Sequence, residues 1–193
     1  MLKVGITGGI GSGKSIVCKI LESMNYPVFY SDREAKKIIT KNLKVRSEII
    51  SLFGNDIYQD DQLNSSLLAQ IIFNDKEALK KVNTIVHPEV RKSFTDFVEK
   101  QDSQYVFNEA AILIESNGYK QMDTLVLISA PVEVRILRVI NRDGSTEDEV
   151  LDRMSKQWTD DQKRKYCSFE IVNTENVAIL TQVEKLIEDL KNK

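Results

Sequence analysis

Residues 5 to 14 read GITGGIGSGK, five glycines in ten positions, directly after the apolar start MLKV. Glycine inside a strand or helix costs roughly 0.5–1 kcal/mol relative to alanine, so a cluster this dense marks a turn that needs backbone freedom. The flanks are regular. LKVGIT (2–7) is a short apolar run that predicts a buried strand, and KSIVCKILESM (14–24) sets Val17, Ile20, Leu21 and Met24 at helical spacing. Between them, Gly8 to Ser15 fits G-x-x-x-x-G-K-[S/T] at every fixed position. A loop that wraps a polyphosphate must aim consecutive backbone N–H groups inward and take angles that a Cβ would obstruct. The helix opening near Gly13 adds the positive end of its dipole. In this pattern Lys14 neutralises the β and γ phosphates and the hydroxyl of Ser15 ligates Mg²⁺, so a nucleoside triphosphate is the expected ligand.

The rest of the chain sets the architecture. YPVFYS (26–31), QYVFNEAAILI (104–114), DTLVLISAP (123–131) and FEIVN (169–173) are further candidate buried strands. Asp32 to about Lys100 carries a helical pattern, which His87-Pro88 interrupts before Val90, Phe94, Phe97 and Val98 resume it. That stretch is too long for a simple crossover and reads as a helical insertion. VEVRILRVINRD (132–143) predicts a helix with arginines at 135, 138 and 142, STEDEVLDRMSKQW (145–158) opens on a Ser or Thr cap with an acidic first turn, and Val177 to Leu190 marks a last amphipathic helix. Strands alternating with helices predict an α/β, three-layer P-loop NTPase fold with a five-stranded parallel sheet.

Composition removes several alternatives. The 193 residues suit one domain, or a core with one insertion, and 27 Lys and Arg against 29 Asp and Glu give no global field toward nucleic acid or a membrane surface. Cys18 and Cys167 have no metal-ligand spacing, and a single histidine leaves too few ligands for zinc. With no leader-like N-terminus and no run approaching the length of a membrane span, the expectation is a soluble cytoplasmic protein.

A phosphate loop does not say what receives the phosphate. A GTPase needs an Asn-Lys-x-Asp run after a late strand, which NTEN (173–176) does not supply. A small-molecule kinase needs an acceptor pocket, a base and cations over the transferring phosphoryl group. Asp32, after the second strand, is a candidate base if that strand neighbours the first, and equally a candidate N-cap for a helix starting at Arg33. Arg138 and Arg142 are i, i+4 neighbours suited to developing phosphoryl charge, or else to solvent. Glu109 is a candidate for holding Mg²⁺ through water, with a paired structural carboxylate as the competitor. A kinase for another small alcohol and a non-catalytic nucleotide sensor stay open on the residues alone.

The chain resembles the dephospho-CoA kinase family over nearly its whole length. VGITGGIGSGKS, SDREAKKII, LFGNDIY, IVHPEVR, AAILIES, RVINRDGSTEDEVLDRMSKQ and FEIVN carry the resemblance. It implies Mg²⁺-dependent transfer of the ATP γ-phosphate to the ribose 3′-hydroxyl of dephospho-CoA. A monomer or weak homo-oligomer that binds no nucleic acid is the expectation for partners. It implies a core of residues 1–31, 101–131 and 166–193, a CoA-side helical insertion at 32–100 and a helical lid at 132–165. Asp32 becomes the base, with Lys14, Arg138 and Arg142 catalytic beside it. ATP contacts fall on Gly9, Gly11, Ser12, Gly13, Lys14, Ser15, Ile16, Arg142 and Asn173, the last near adenine. Acceptor contacts fall on Asp32, Lys36, His87 and Arg91, although a lone histidine before proline more often has a structural role. Lid and acceptor domain are expected to close and exclude water.

The departures from the family pattern locate the weaker transfers. Ile16 stands where threonine is usual, Ala111 where proline is usual and Lys36 where arginine is common. Ser65 holds a position often given to arginine, and Cys167-Ser168 replaces a typical Ala-Asp.

Overall fold

A computed structural model describes residues 1–59, 62–174 and 176–191. In chain order its regular elements begin with β1 (Leu2–Thr7), α1 (Lys14–Ser23), β2 (Val28–Tyr30), α2 (Ser31–Lys41), α3 (Leu43–Phe53), β3 (Tyr58–Gln59) and β4 (Gln62–Leu63). There follow α4 (Ser65–Asn74), α5 (Lys76–Val98), β5 (Tyr105–Glu109), β6 (Thr124–Ser129), α6 (Val132–Asp143), α7 (Glu147–Ser155), α8 (Asp160–Arg164), β7 (Phe169–Val172) and α9 (Ile179–Lys191). The chain divides into two compact units, Met1–Tyr30 with Gln101–Lys193, and Ser31–Lys100.

The first unit is an α/β structure around a five-stranded, wholly parallel sheet in the order β2-β5-β1-β6-β7. Parallel strands joined by helical crossovers are covered on both faces, which is why β6 is buried at every residue and β1 over its last four. The main core packs Val4, Ile6, Val126 and Ile128 of the sheet against Val17 and Leu21 of α1 and Val183 and Ile187 of α9. The order corrects one premise. β2 pairs with β5 (Tyr30 opposite Glu109) and does not neighbour β1, whose partners are β5 and β6. Strand β5 is also shorter than its apolar run. It stops at Glu109, and Ala110, Leu113 and Ile114 instead bury themselves in a turn against Leu125. Their hydrophobicity reports burial, which a packed turn supplies as well as a ladder does.

The second unit is mostly helical, with Ile38, Val45, Ile49, Val82 and Val86 in its core. Three details differ from the periodicity. The helix α5 runs through His87-Pro88 without a break, because Pro88 is on the exposed side, where water can take up the carbonyl that loses its N–H partner. A short antiparallel pair, β3 with β4, sits where only helix was expected. Leu43, an apolar residue within the helical pattern, begins α3 and is 78% exposed. Among the described residues no helix is long and apolar enough to cross a membrane.

Candidate active site

The phosphate loop leaves the buried end of β1 and re-enters regular structure at Lys14, the first residue of α1. Gly11 (φ +78°) and Gly13 (φ +96°) take left-handed backbone angles that other residues pay strain to adopt. Close neighbours matter as much. A Cβ on Gly9 would overlap the Arg135 guanidinium, one on Gly11 would press on the Arg135 backbone, and one on Gly13 would overlap the Asn173 carboxamide. The glycines therefore answer to the protein's own packing at Arg135 and Asn173.

Within the loop, Lys14 Nζ donates to the carbonyl oxygens of Gly8 at 3.0 Å and Gly9 at 3.5 Å, and lies 3.8 Å from Glu109 Oε1. Both side chains are largely buried, so α1 and the end of β5 hold a close ion pair at the mouth of the loop. Ser12 is fully buried, and its Oγ has no hydrogen-bond partner. Ser15 and Ile16 are exposed in the first turn of α1.

Two side-chain systems brace the loop. Asn173, after β7, donates from Nδ2 to Ser12 O at 2.8 Å and accepts from Arg138 Nη2 at 3.2 Å. Both ends of the carboxamide expected near adenine thus engage the protein itself. Arg138 Nη1 is buried without a hydrogen-bond partner. The second system is at Ile10, whose N–H donates to Gln157 Oε1 at 2.8 Å and whose carbonyl accepts from Arg135 Nε at 2.9 Å. Arg135, 5% exposed, is paired in turn with Asp160 at 3.3 Å. Burial pushes the Asp160 carboxyl up, and the Arg135 guanidinium opposes that shift.

Arg142 is not brought to the loop. Its side chain is 62% exposed and pairs with Asp143 at 2.7 Å, and Arg153 holds the same carboxylate at 3.1 Å. These two cations lower the Asp143 pKa to about 2. At the exit of β5, Lys163 of α8 is fully buried, pairs with Glu115 at 3.0 Å and donates to Ala111 O. The Trp158 N–H donates to the same Glu115 oxygen at 3.0 Å.

The second unit carries the expected acceptor-side residues. Asp32 and Lys36 are exposed, four apart on α2. The helix begins at Ser31, so Asp32 lies inside its first turn and not at the cap position of a helix starting at Arg33. His87 and Arg91 lie four apart on α5, both half-buried; desolvation, with the Arg91 charge behind it, holds the imidazole below its ordinary 6.5. α2 and α5 are tied by a hydrogen bond from Ser93 Oγ to Glu34 Oε1 at 2.8 Å.

Sequence reasoning singled out neither Arg135 nor Asp160 as part of the site. The available signal was weak: a third arginine on α6 and an acidic residue after a threonine. Either is common on solvent-facing helices.

Comparison with known proteins gives a concordant result. A family model described as dephospho-CoA kinase matches residues 2–178. A dephospho-CoA kinase of Bacteroides fragilis is 36% identical over 193 residues, covering 100% of this chain and 94% of that protein. Among solved structures, that of TT1252 from Thermus thermophilus has a TM-score of 0.88 at 31% identity, covering 98% of this chain and 97% of that one. Dephospho-CoA kinase from Campylobacter jejuni has a TM-score of 0.70 at 25% identity, covering 97% of this chain and 96% of that one.

Proposed function

The chain belongs to the dephospho-CoA kinase family, and from that membership we infer that it phosphorylates dephospho-CoA with ATP, giving CoA and ADP in the last step of CoA synthesis. The observation that carries the reading is the phosphate loop with Lys14 at its mouth, 3.8 Å from Glu109. In the proposed reaction the ribose 3′-oxygen of the acceptor attacks the γ-phosphorus. The new O–P bond forms as the bridge to the β-phosphate breaks, and ADP leaves.

The proposed roles are those that the family resemblance implies. Gly9, Gly11, Ser12, Gly13, Ser15 and Ile16 face the triphosphate, and Lys14 moves its ammonium from the Gly8 carbonyl onto the β and γ oxygens. Asp32, whose carboxylate is exposed in the first turn of α2, accepts the 3′-hydroxyl proton. Lys36, His87 and Arg91 contact the acceptor and Asn173 lies on the adenine side, while Arg138 supplies a cation for the transferring group, as Arg142 would on exchanging its Asp143 contact for phosphate oxygens. Residues 132–165 form the lid and 32–100 the acceptor side. Support for Arg138 comes from its buried Nη1, which has no hydrogen-bond partner.

The residues fit a magnesium ion carried in on the nucleotide. Among the described residues no group of three His, Cys, Asp or Glu side chains would hold a metal alone, whereas Mg²⁺ typically keeps several waters and binds through one or two protein oxygens plus substrate phosphates. Ser15 would supply a hydroxyl and Glu109 a carboxylate through water. When bound, the ion neutralises charge on the β and γ oxygens. The reading extends to a cytoplasmic location, which the reduced thiols of Cys18 and Cys167 support.

The test is to supply Mg-ATP with dephospho-CoA, adenosine, AMP or shikimate and follow ADP release with the mass of each acceptor. Addition of one phosphate to dephospho-CoA alone is the expected result. Phosphorylation of another acceptor in its place would overturn the substrate, and nucleotide binding without ADP release would turn the protein into a sensor.

A further inference from the structure

The Ile10 peptide is gripped on both sides. Its N–H goes to Gln157 and its C=O to Arg135, at 2.8 and 2.9 Å, so neither polar group of this loop residue is left to solvent or to a ligand. The two gripping residues come from different segments, α6 and the stretch after α7, and Asp160 ties them by pairing with Arg135 at 3.3 Å. The contacts join positions 125 and 147 residues apart in the chain. The same guanidinium fills the space where a Cβ on Gly9 would sit.

We propose that Arg135, Gln157 and Asp160 are positioning residues for nucleotide binding, which hold the Ile10 peptide so that the phosphate loop is shaped before the triphosphate arrives. None of the three needs to touch the reacting atoms. Arg135 is the informative member, because an arginine beside a phosphate loop invites the role of phosphate ligand. Here its Nε is committed to Ile10 O and its Nη1 to Asp160. A polyphosphate loop pays for its backbone amides by having them oriented in advance, since a flexible loop would lose conformational entropy on binding. The strap from Gln157 to Lys163 supplies that order from outside the loop. It is anchored at its far end by Lys163, buried against Glu115 and Ala111 O.

The inference rests on the loop's being the nucleotide site, and the experiment separates the two. Binding of Mg-ATP and Mg-ADP is titrated directly to wild type, Gln157→Met, Asp160→Asn and Asp160→Glu, alongside KM for both substrates, kcat and the thermal midpoint without nucleotide. Gln157→Met keeps the side-chain volume and removes the acceptor. It should raise the nucleotide Kd about tenfold, the scale of one lost hydrogen bond to a part-buried amide, with KM for dephospho-CoA within about twofold. Asp160→Asn should do the same and Asp160→Glu, which keeps the ion pair, should restore affinity. Unchanged nucleotide affinity in Gln157→Met and Asp160→Asn would overturn the proposal, as would equal loss for both substrates in step with a lowered thermal midpoint. Absence of nucleotide binding in wild type would instead overturn the reading of the loop itself.

Discussion

Lys14 Nζ lies 3.8 Å from Glu109 Oε1, with both side chains nine-tenths buried or nearly so, while the same ammonium donates to the Gly8 carbonyl at 3.0 Å. The pair joins the first residue of α1 to the last residue of β5, two elements that the sheet register brings together through β1. In the proposed reaction triphosphate oxygens take over the contacts that the carbonyl oxygens and the carboxylate make with this ammonium. Lys14→Ala should therefore lower kcat by about 10²–10³ and weaken ATP binding, as steady-state kinetics and direct titration would show. Intact turnover in that variant would remove Lys14 from the reaction.

Asp32 makes a separate claim, because its role is chemical and not one of nucleotide affinity. Asp32→Asn should leave the Kd for ATP close to wild type while kcat falls by roughly 10²–10⁴, the range of general-base catalysis. Wild-type turnover would reduce Asp32 to an acidic residue in the first turn of α2, favourable there for the helix dipole alone.

His87 predicts a pH dependence of stability. Desolvation, reinforced by Arg91, puts its folded pKa below the 6.5 of an unfolded imidazole. In the window between those two values the unfolded chain binds more protons, so stability is complete above about pH 6.5 and falls as the pH drops toward the folded pKa. The thermal midpoint should decline from about pH 7.5 to about pH 5.5, and His87→Gln should flatten part of that slope. An identical slope in the variant would assign the decline to other groups.

Lys163 and Glu115 form the most buried ion pair described, with side chains 0% and 15% exposed. Removing one partner strands the other, so Lys163→Met should cost about 3–5 kcal/mol in urea unfolding. Lys163→Met with Glu115→Leu should cost less than the two single losses added together, because no buried charge is left unpaired. Additive losses would show that the two side chains are not coupled.

Much of the fold was readable from the chain because it is encoded locally. The strand before the loop, the Gly13-Lys14-Ser15 entry into α1 and the Thr146 capping box with Glu149 at the start of α7 depend on residues a few positions apart. The misreadings at β2 and after β5 involve long-range partners. Nothing in YPVFYS says that β2 will pair with β5 and not with β1, and nothing in AAILI says that its apolar residues pack in a turn. Pro88 looked like a break because the pattern does not reveal that its missing hydrogen bond faces water.

The site divides in the same way. Lys14 and Ser15 were evident from spacing, since the loop's chemistry is contained in eight consecutive residues. Arg135 and Asp160 were not, because only packing decides whether an arginine on an amphipathic helix reaches a loop 125 residues earlier in the chain or points to solvent. Arg142, four residues from Arg138 on the same helix, shows the other outcome: it is paired with Asp143 at the exposed end of α6.

The most direct measurement is the position of the phosphate in the product. With Mg-ATP and dephospho-CoA, mass and phosphorus NMR spectra should show one new phosphate on the ribose 3′-oxygen and one ADP released for each CoA formed, and a 3′-deoxy acceptor should stay unmodified. A phosphate at any other position, or ADP released at the same rate with the 3′-deoxy acceptor, would contradict the account.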